Sequence, residues 1–373
     1  MKTKIIALAV AAAFSAPAFA ETSNVNVYGQ ANISFDRTNN GTVSTNQISD
    51  NASRIGFKGT EDLGDGLSAI FQVETMVTLD NGGAGTPVGT RDSFVGLSSA
   101  NMGTVLAGRH YTPYEMATEG ADLFRYSIAD NRNIMGVTSG TAGTVANHNL
   151  RSGNLLAYMT PDFGGIKGAI AYIPQAEGVT AANAGKPSAW SMAGMYEAGG
   201  INASIAFQEF KDAGTVVNAA GNGNKQKAWK IGGGYTMDAI NVNAVYEKVT
   251  SSGPAAAVPF IGNSDDHSAW YLSGKYSFGN DAVKLAYAKT SDFGNGTGGT
   301  TPNTSVKQWS LGYDHNMSKR TTLFALYTKL NADAGSAGAP LGGQTSAGAI
   351  ASTGPVGAAT DASAWSFGVK HAF

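Results

Sequence analysis

Few side chains in this sequence could perform covalent chemistry. Nucleophilic catalysis needs a base and an orienting group within hydrogen-bond reach, and a zinc site needs closely spaced ligands. The glycine-rich stretch 294–299 is expected to be a loop spacer, because no helix follows it. We therefore expect no enzyme, no metal and no cofactor. The chain has no cysteine, and its five histidines are scattered along 373 residues: His110, His148, His267, His315 and His371.

Fixed charges on strands are the other source of chemistry. Arg54 lies on the strand face opposite Ile55 and Phe57, and Glu74 shares a polar face with Gln72. Successive side chains of a strand point to opposite faces, so both charges are expected to project away from the apolar side. Charged side chains that line a water-filled passage sort ions. These residues predict ion sorting if the strands enclose water.

The strands that would position these charges have one apolar and one polar face. In residues 25–36 the odd positions are apolar or Gly, and the even positions are mostly polar. Residues 67–79, 201–208 and 240–246 repeat this alternation, which is typical of half-buried strands. In residues 321–330 the two faces are less distinct.

Short turns and long polar connections alternate along the chain, as they do in transmembrane barrels. Turns such as 62–66 alternate with Gly-, Thr- and Ala-rich stretches such as 111–152 and 331–361. We predict an all-β fold, a closed antiparallel transmembrane barrel of sixteen strands, which is wide enough for an aqueous channel. The predicted strands are 25–36, 53–61, 67–79, 91–99, 104–110, 153–160, 166–173, 188–197, 201–211, 227–236, 240–250, 267–278, 282–290, 304–314, 321–330 and 363–373.

Composition agrees with a barrel. The mean hydropathy is −0.11, and no stretch after residue 20 has the eighteen consecutive apolar residues of a membrane helix. A barrel can be this polar because its inner face is wet. Lys and Arg number 25 against 27 Asp and Glu, and this slightly acidic balance argues against a nucleic-acid partner.

The two ends of the chain predict export to the outer membrane. Residues 1–20 have two lysines, a short apolar core and Ala18-Phe-Ala20, so we expect a signal peptide of the Sec pathway, with residues 21–373 as the mature barrel. Without Lys2 and Lys4 the formal charge falls from −2 to −4. The final segment, in which Trp365, Phe367 and Phe373 share one face, resembles the terminal strand by which the barrel-assembly machinery recognises outer-membrane proteins.

Several motifs resemble the Gram-negative general porins, most closely the β-proteobacterial trimeric type. They are Val27–Gln30, the long stretch Ser53–Leu67, Phe71–Glu74, Arg91–Leu97, Gly108–Tyr111 and the terminal Phe373. The resemblance covers essentially the whole chain after residue 20. It implies a homotrimer in outer-membrane lipid and lipopolysaccharide, with each barrel narrowed by a third external loop folded inward. Residues 111–152 correspond to that constriction loop.

The resemblance also implies that arginines on the wall face acids on this loop. Arg54 and Arg91 match the wall motifs, and Glu74 matches the wall carboxylate. Arg132 follows the loop, where Asp122, Glu119 and Asp130 are the candidate acids and Arg125 could reverse their effect. Gln30 is neutral where some members of the family have a cation.

We therefore expect passive diffusion of small ions and hydrophilic solutes. Three or four cations against two or three anions at the narrowest ring suggest a modest anion preference, because the constriction sets selectivity rather than the whole-chain charge. The alternative is a substrate-specific channel, lined by an aromatic ladder or a basic track. A receptor or adhesin would need a plug before the first strand, and the sequence has only a few residues there.

Overall fold

A computed structural model describes residues 24–80, 88–136, 148–174, 188–211, 225–252, 266–294, 299–334 and 361–373. The expected signal peptide, Met1–Ala20, lies outside the described residues, as do parts of the predicted long connections. None of the helices in these ranges is long and apolar enough to cross a membrane.

The described residues fold as one large antiparallel sheet. Each strand pairs with its neighbours in sequence, and β1 pairs with β17 over residues 30–39 and 363–372, so the sheet closes on itself. The strands are β1 Asn24–Asn39, β2 Ser44–Asp50, β3 Arg54–Gly64, β4 Leu67–Met76, β5 Ser93–Ser99, β6 Gly103–Tyr111, β7 Arg151–Met159, β8 Ile166–Ile173, β9 Ser188–Ala198, β10 Ile201–Lys211, β11 Lys225–Met237, β12 Ile240–Ser252, β13 His267–Phe278, β14 Asp281–Thr290, β15 Val306–Asn316, β16 Thr321–Ala332 and β17 Ala362–Ala372.

The seventeen segments form sixteen barrel strands, because β2 and β3 are two parts of one strand. Residues 33–39 of β1 pair with β2, and residues 24–30 pair with β3. The predicted sixteen-stranded antiparallel barrel is confirmed. Closure leaves no free sheet edge, which a strand protein needs where water is absent.

A bulge joins β2 to β3, and the sequence analysis did not predict it. Ile33 pairs with Asp50 and Gln30 pairs with Arg54, so three steps along β1 oppose four along its partner. Inward-facing positions are therefore odd in β2 and even in β3. The prediction began this strand at residue 53 and was wrong there, because the extra residue breaks the alternation. The bulge also turns Arg54 toward the barrel interior.

The outer face of the barrel is apolar and has a band of aromatic rings. Large outward side chains such as Val95, Ile205 and Leu285 are more than half exposed on the isolated chain, as lipid contact requires. Three aromatic groups cross neighbouring strands with ring centroids 4.5 to 5.3 Å apart: Tyr172–Trp190, Trp229–Tyr246–Trp270 and Trp309–Tyr327–Trp365. Such bands are typical of the membrane–water interface.

The segment between β6 and β7 packs against the inner face. Its residues 112–136 contain helix α1, Pro113–Met116, and two 3₁₀ turns, Glu119–Ala121 and Asn131–Asn133. Phe124, Ile128, Ile134 and Met135 are buried in one cluster with inward residues of β12 to β17, many of which are alanine. A Cβ built on Gly312 would approach Phe124 Cε1 to 2.7 Å, so the close contact requires glycine there.

Candidate functional site

On the barrel wall, one carboxylate binds two arginines. Glu74 in β4 is 5 % exposed and accepts a hydrogen bond from Arg91 Nε and one of 3.0 Å from Tyr28 Oη. Arg54 Nε lies 3.7 Å from the other side of the same carboxylate. Strand pairing brings these residues together, because Gly56 of β3 lies opposite Glu74 and the Arg91 N–H donates to the Glu74 carbonyl. Two cations against one anion leave this part of the wall positive.

The β6–β7 segment supplies two more arginines, each with acidic partners. Arg125 Nη2 lies 2.8 Å from Glu115 and 3.2 Å from Glu119. Arg132 binds Asp130 through two hydrogen bonds, of 2.8 and 2.6 Å. Paired, buried charges of this kind are held in one geometry.

Tyr126 lies at the centre of these arginines. The guanidinium carbons of Arg54, Arg91, Arg125 and Arg132 lie 5.1 to 5.4 Å from its ring centroid, within the range of cation–π attraction. Its backbone φ is 58°, a conformation that bulky L residues rarely adopt. Asp130 Oδ2 accepts the Tyr126 N–H at 2.9 Å and helps to hold the residue there.

A fifth arginine, from β7, completes the cluster. Arg151 Nη2 donates to Tyr126 Oη at 3.1 Å, and Arg151 Nε donates to Asp92 at 3.0 Å. Its guanidinium lies 3.5 Å from the centroid of the Tyr111 ring. The sequence prediction missed Arg151 and Tyr126. The sequence offered two weak signals: Tyr126 directly follows the predicted residue Arg125, and Arg151 lies at the start of a strand.

The loop charges shift each other's protonation. Burial lowers the pKa of Arg125, but Glu115 and the neighbouring tyrosines outweigh burial, and the net shift is upward. Burial likewise opposes ionisation of Asp130, but the hydrogen-bonded Arg132 holds the pKa of that carboxyl below its usual value. These groups therefore remain charged at neutral pH.

Asp122 does not join the arginine cluster. Its carboxylate accepts hydrogen bonds from Tyr271 Oη at 3.1 Å and from the N–H groups of Phe124 and Asn131 at 2.9 and 3.1 Å. Burial and the nearby Asp130 raise the pKa of Asp122 to about 7. Within the described residues Asp122 forms no ion pair. Its hydrogen bonds instead hold the β6–β7 segment together and attach it to Tyr271.

The segment is also fastened to the wall at Glu247 of β12, the strand next to that of Tyr271. Tyr114 Oη donates to Glu247 Oε2 at 2.6 Å, and the Gly136 N–H donates to Oε1 of the same carboxylate. Lys230, opposite Glu247 in register, donates to Asn149 Oδ1 at 2.7 Å and lies 4.1 Å from the Tyr114 ring centroid. These polar groups are nearly inaccessible and hydrogen-bonded, so they resist displacement of the segment.

Lys58 and Lys370 are two of the inward-facing lysines that form no salt bridge in the part of the chain that the structure describes. Lys58 faces inward in β3, 5.1 Å from the Tyr28 ring centroid, and Lys370 faces inward in β17 opposite Asn32. Lys284 pairs with Asp314 at 2.8 Å. Arg54, Arg91, Lys58 and Lys370 on this wall therefore outnumber their one described acidic partner, Glu74. No group of three potential metal ligands occurs among the described residues.

A closed sixteen-stranded antiparallel barrel with an apolar, aromatic-banded exterior and a charged interior defines an outer-membrane β-barrel protein. The family model of the Gram-negative porins matches residues 7–335, which is most of the chain. The chain belongs to the Gram-negative porin family, and its location is the outer membrane. Porins are channels without a reaction centre, so enzymatic alternatives are set aside.

Curated relatives match over part of their length. Outer membrane porin protein 32 of Delftia acidovorans is 36% identical over 178 residues, which cover 46% of this chain and 49% of that protein. Major outer membrane protein P.IA of Neisseria meningitidis serogroup C is 38% identical over 128 residues, 34% of this chain and 30% of that protein. The chain thus spans half or less of the length of these relatives.

Solved structures share the fold over nearly the whole chain. An anion-selective porin from Comamonas acidovorans superposes with a TM-score of 0.78 at 24% identity, covering 94% of this chain and 100% of that chain. The trimer form of OmpT from Vibrio cholerae gives 0.63 at 14% identity, covering 95% and 100%. At these identities the likeness concerns the fold alone.

Proposed function

We propose that this protein forms a water-filled pore for passive diffusion of small ions and hydrophilic solutes across the outer membrane. The β6–β7 segment narrows the pore, and the pore has a modest anion preference. Family membership supports the channel, and a barrel of sixteen strands is wide enough to conduct water.

The observation that supports the anion preference is the barrel wall beside Tyr126, where basic side chains outnumber their acidic partners. Arg54 and Arg91 share one carboxylate, while Lys58 and Lys370 on the same wall add cations without a described ion pair. Charges in a narrow, low-dielectric passage act on each passing ion, so this excess favours anions. The anion selectivity of the Comamonas porin with the same fold agrees with the proposal.

The narrowing is inferred from the contacts of the β6–β7 segment. Residues 112–136 reach β1 through the hydrogen bond from Asn32 Nδ2 to the Tyr126 carbonyl. They reach β12 through Glu247 and β15 through the hydrogen bond from Asn133 to Gln308. A segment that binds three distant parts of a cylinder from inside must cross part of its bore.

We also propose a homotrimer, with contacts on the side formed by β2 to β6. All five tryptophans lie at residue 190 or later, and no Trp or Tyr occurs between Tyr28 and Tyr111. Because lipid-facing strands use such rings at the membrane interfaces, a side without them is suited to protein contact. Apolar Val95, Leu97 and Val105 are well exposed on this side of the isolated chain, and the OmpT trimer form shares the fold. Lipopolysaccharide, lipid and the barrel-assembly machinery remain proposed partners.

The direct test is purified protein in a planar bilayer. We expect stable open channels whose conductance rises roughly in proportion to salt. Under a salt gradient the sign of the reversal potential should indicate a preference for anions. The preference should be clearest at low salt, because the Debye length is ~10 Å at 0.1 M and increases as the salt concentration falls. A clearly cation-selective channel would contradict the charge assignment, and an inability to conduct would contradict the channel itself.

A cavity of about 310 Å³ favours one alternative, a channel with a preferred uncharged solute. It lies between Thr118 and the inner faces of β9 to β12. Asn202, Asn241 and Asn243 line it and hydrogen-bond to one another, as groups that bind hydroxyls of a sugar would. Tight saturation of conductance by one neutral solute would support this alternative.

A further inference from the structure

The phenol oxygen of Tyr126 is surrounded by hydrogen-bond donors. Arg91 Nη2 donates to it at 3.2 Å and Arg151 Nη2 at 3.1 Å, and the oxygen of Tyr111 lies 2.6 Å away. An O–H···O contact of 2.5–2.7 Å is typical of a bond to a charged oxygen. The geometry resembles that of an anion bound by two guanidinium groups.

The phenols of Tyr111 and Tyr126 have two hydroxyl protons between them, but only one described hydrogen bond, the one that joins the two oxygens, uses such a proton. If Tyr111 donates to Tyr126, the remaining proton of Tyr126 faces two arginine donors and has no acceptor among the described residues. Loss of that proton removes the conflict and leaves an oxygen that accepts three hydrogen bonds. Hydrogen bonds to the charged form favour ionisation.

Charged groups reach Tyr126 from every element packed around it. Glu74, Glu115, Glu119, Asp92 and Asp130 are the nearby acids, and each binds an arginine, while none hydrogen-bonds to the Tyr126 oxygen. The cations are Arg54 of β3, Arg91 beside β5, Arg151 of β7, and Arg125 and Arg132 of the segment itself.

We propose that Tyr126 is a specificity-determining residue of the pore, which holds a proton below neutral pH and releases it above. As a phenol it adds no charge to the five arginines and the five carboxylates that bind them, and as a phenolate it adds one negative charge at the narrowest part. The proposal rests on the proposed function, since it concerns the selectivity of that same pore. It adds a charge that no carboxylate or histidine supplies.

Electrostatics supports the same conclusion. Burial raises the pKa of the Tyr126 phenol, but Arg125, Arg151, Arg91 and the hydrogen bond from Tyr111 outweigh burial and lower that pKa to about 7. A group with a pKa there is neutral in mild acid and negative in mild alkali. Anion preference should therefore decline as pH rises through this value.

The test is the reversal potential of wild-type and Tyr126→Phe channels from about pH 5.5 to about pH 8.5, at low salt. We expect the anion-to-cation permeability ratio of the wild type to fall by about threefold over this range, since one charge a few ångströms from the ion path has an effect of that order. Tyr126→Phe should keep the ratio of the acidic wild type. A wild-type pH dependence that persists unchanged in Tyr126→Phe would overturn the proposal.

Two controls separate Tyr126 from other titrating groups. Asp122 also has a pKa raised to about 7, so Asp122→Asn should keep most of the pH dependence if Tyr126 is responsible. Tyr276→Phe, on the outer face of β13 and 53% exposed, should behave as wild type. Tyr111→Phe, which removes the third donor, should move the midpoint of the transition to higher pH. If Asp122→Asn abolishes the transition instead, the proposal fails.

A second measurement uses the wild-type protein alone and does not depend on channel conductance. The near-ultraviolet absorbance of the folded wild-type protein should reveal about one tyrosine that ionises near neutral pH, well below the ordinary value of ~10. Absence of that transition would overturn the inference even if the pore is anion-selective. A protein that shows it but does not conduct would contradict the proposed function and leave the assignment of Tyr126 intact.

Discussion

At the scale of single residues, the wall arginines Arg54 and Arg91 differ in how much the stability of the barrel depends on them. Arg91 and Glu74 are both about 5% exposed and hydrogen-bonded to each other. Arg54 is more accessible and lies 3.7 Å from the same carboxylate. Removal of one member of a buried pair leaves an unpaired charge and is destabilising by ~3–5 kcal/mol. Arg54 can therefore be changed with less disturbance than Arg91.

The prediction for this site is a set of shifts in ion preference. Arg54→Ser and Arg91→Ser should each move the reversal potential toward cations, by about two- to fivefold in permeability ratio at low salt. Glu74→Gln should move it toward anions. Arg91→Ser should also lower the thermal stability of the barrel, whereas Arg54→Ser should not, because Glu74 keeps Arg91 and Tyr28.

The control for these variants is Lys307→Ser, which removes a positive charge from an outward position of β15. Its reversal potential should match that of the wild type. An equal shift in Lys307→Ser would mean that total charge, not the residues near Tyr126, sets the selectivity.

At the scale of elements, the β6–β7 segment depends on a few buried polar contacts. Tyr114 is fully buried in α1, and its hydroxyl donates to Glu247 of β12. Apolar contacts of Phe124 and Ile134 with the inner wall add to this attachment. The segment has little regular structure of its own, so its conformation comes from the wall.

Tyr114→Phe should loosen the segment without unfolding the barrel. A hydrogen bond to a buried charged group is worth ~1.5–3 kcal/mol, and its loss leaves Glu247 with the Gly136 N–H alone among its described hydrogen bonds. We expect faster hydrogen exchange of the amides in residues 112–136 and noisier single-channel currents. Strand amides of β12 should exchange as in the wild type.

The matched control is Tyr276→Phe, which removes an outward-facing hydroxyl from the neighbouring strand β13. Unchanged exchange in residues 112–136 of Tyr114→Phe, equal to that of this control, would show that the contact with Glu247 does not hold the segment.

At the scale of the whole molecule, the outer surface is uneven. The aromatic groups from Tyr172 to Trp365 surround most of the barrel, and the side made by β2 to β6 has no outward-facing Trp or Tyr, since Tyr111 of β6 faces the interior. A single chain in lipid would need the rings on all sides. This distribution of rings fits the proposed homotrimer.

Val95→Trp should disrupt the trimer, because a bulky ring at a packed contact cannot be accommodated without displacing its partner. Val95 is 63% exposed on the isolated chain, at the middle of β5. The measurement is gel mobility before and after heating: the wild type should run as a trimer before heating, and the variant as a monomer.

Leu285→Trp is the control for this experiment. Leu285 is 56% exposed at the middle of β14, on the aromatic-banded side, where lipid can adapt to the ring. It should remain trimeric. Trimers of equal stability in both variants would place the contact elsewhere.

The alternation of residues along each strand was sufficient to predict the barrel and its strand number, because a strand buried in lipid on one face and wet on the other must alternate. Arg54 and Glu74 could be assigned to the inner face for the same reason. The alternation was insufficient at Asn51–Ser53, where a bulge shifts the pattern by one residue and concealed β2.

The surroundings of Tyr126 were decided by the tertiary structure. Arg54, Arg91 and Arg151 belong to separate strands or strand ends, and Arg125 and Arg132 to a segment without a periodic pattern. Their approach to one ring depends on how residues 112–136 pack on an inner wall built from strands far apart in sequence. The same packing directs Asp122 to Tyr271 and away from the arginines, since the conformation of an irregular segment follows from its long-range contacts and not from its local sequence.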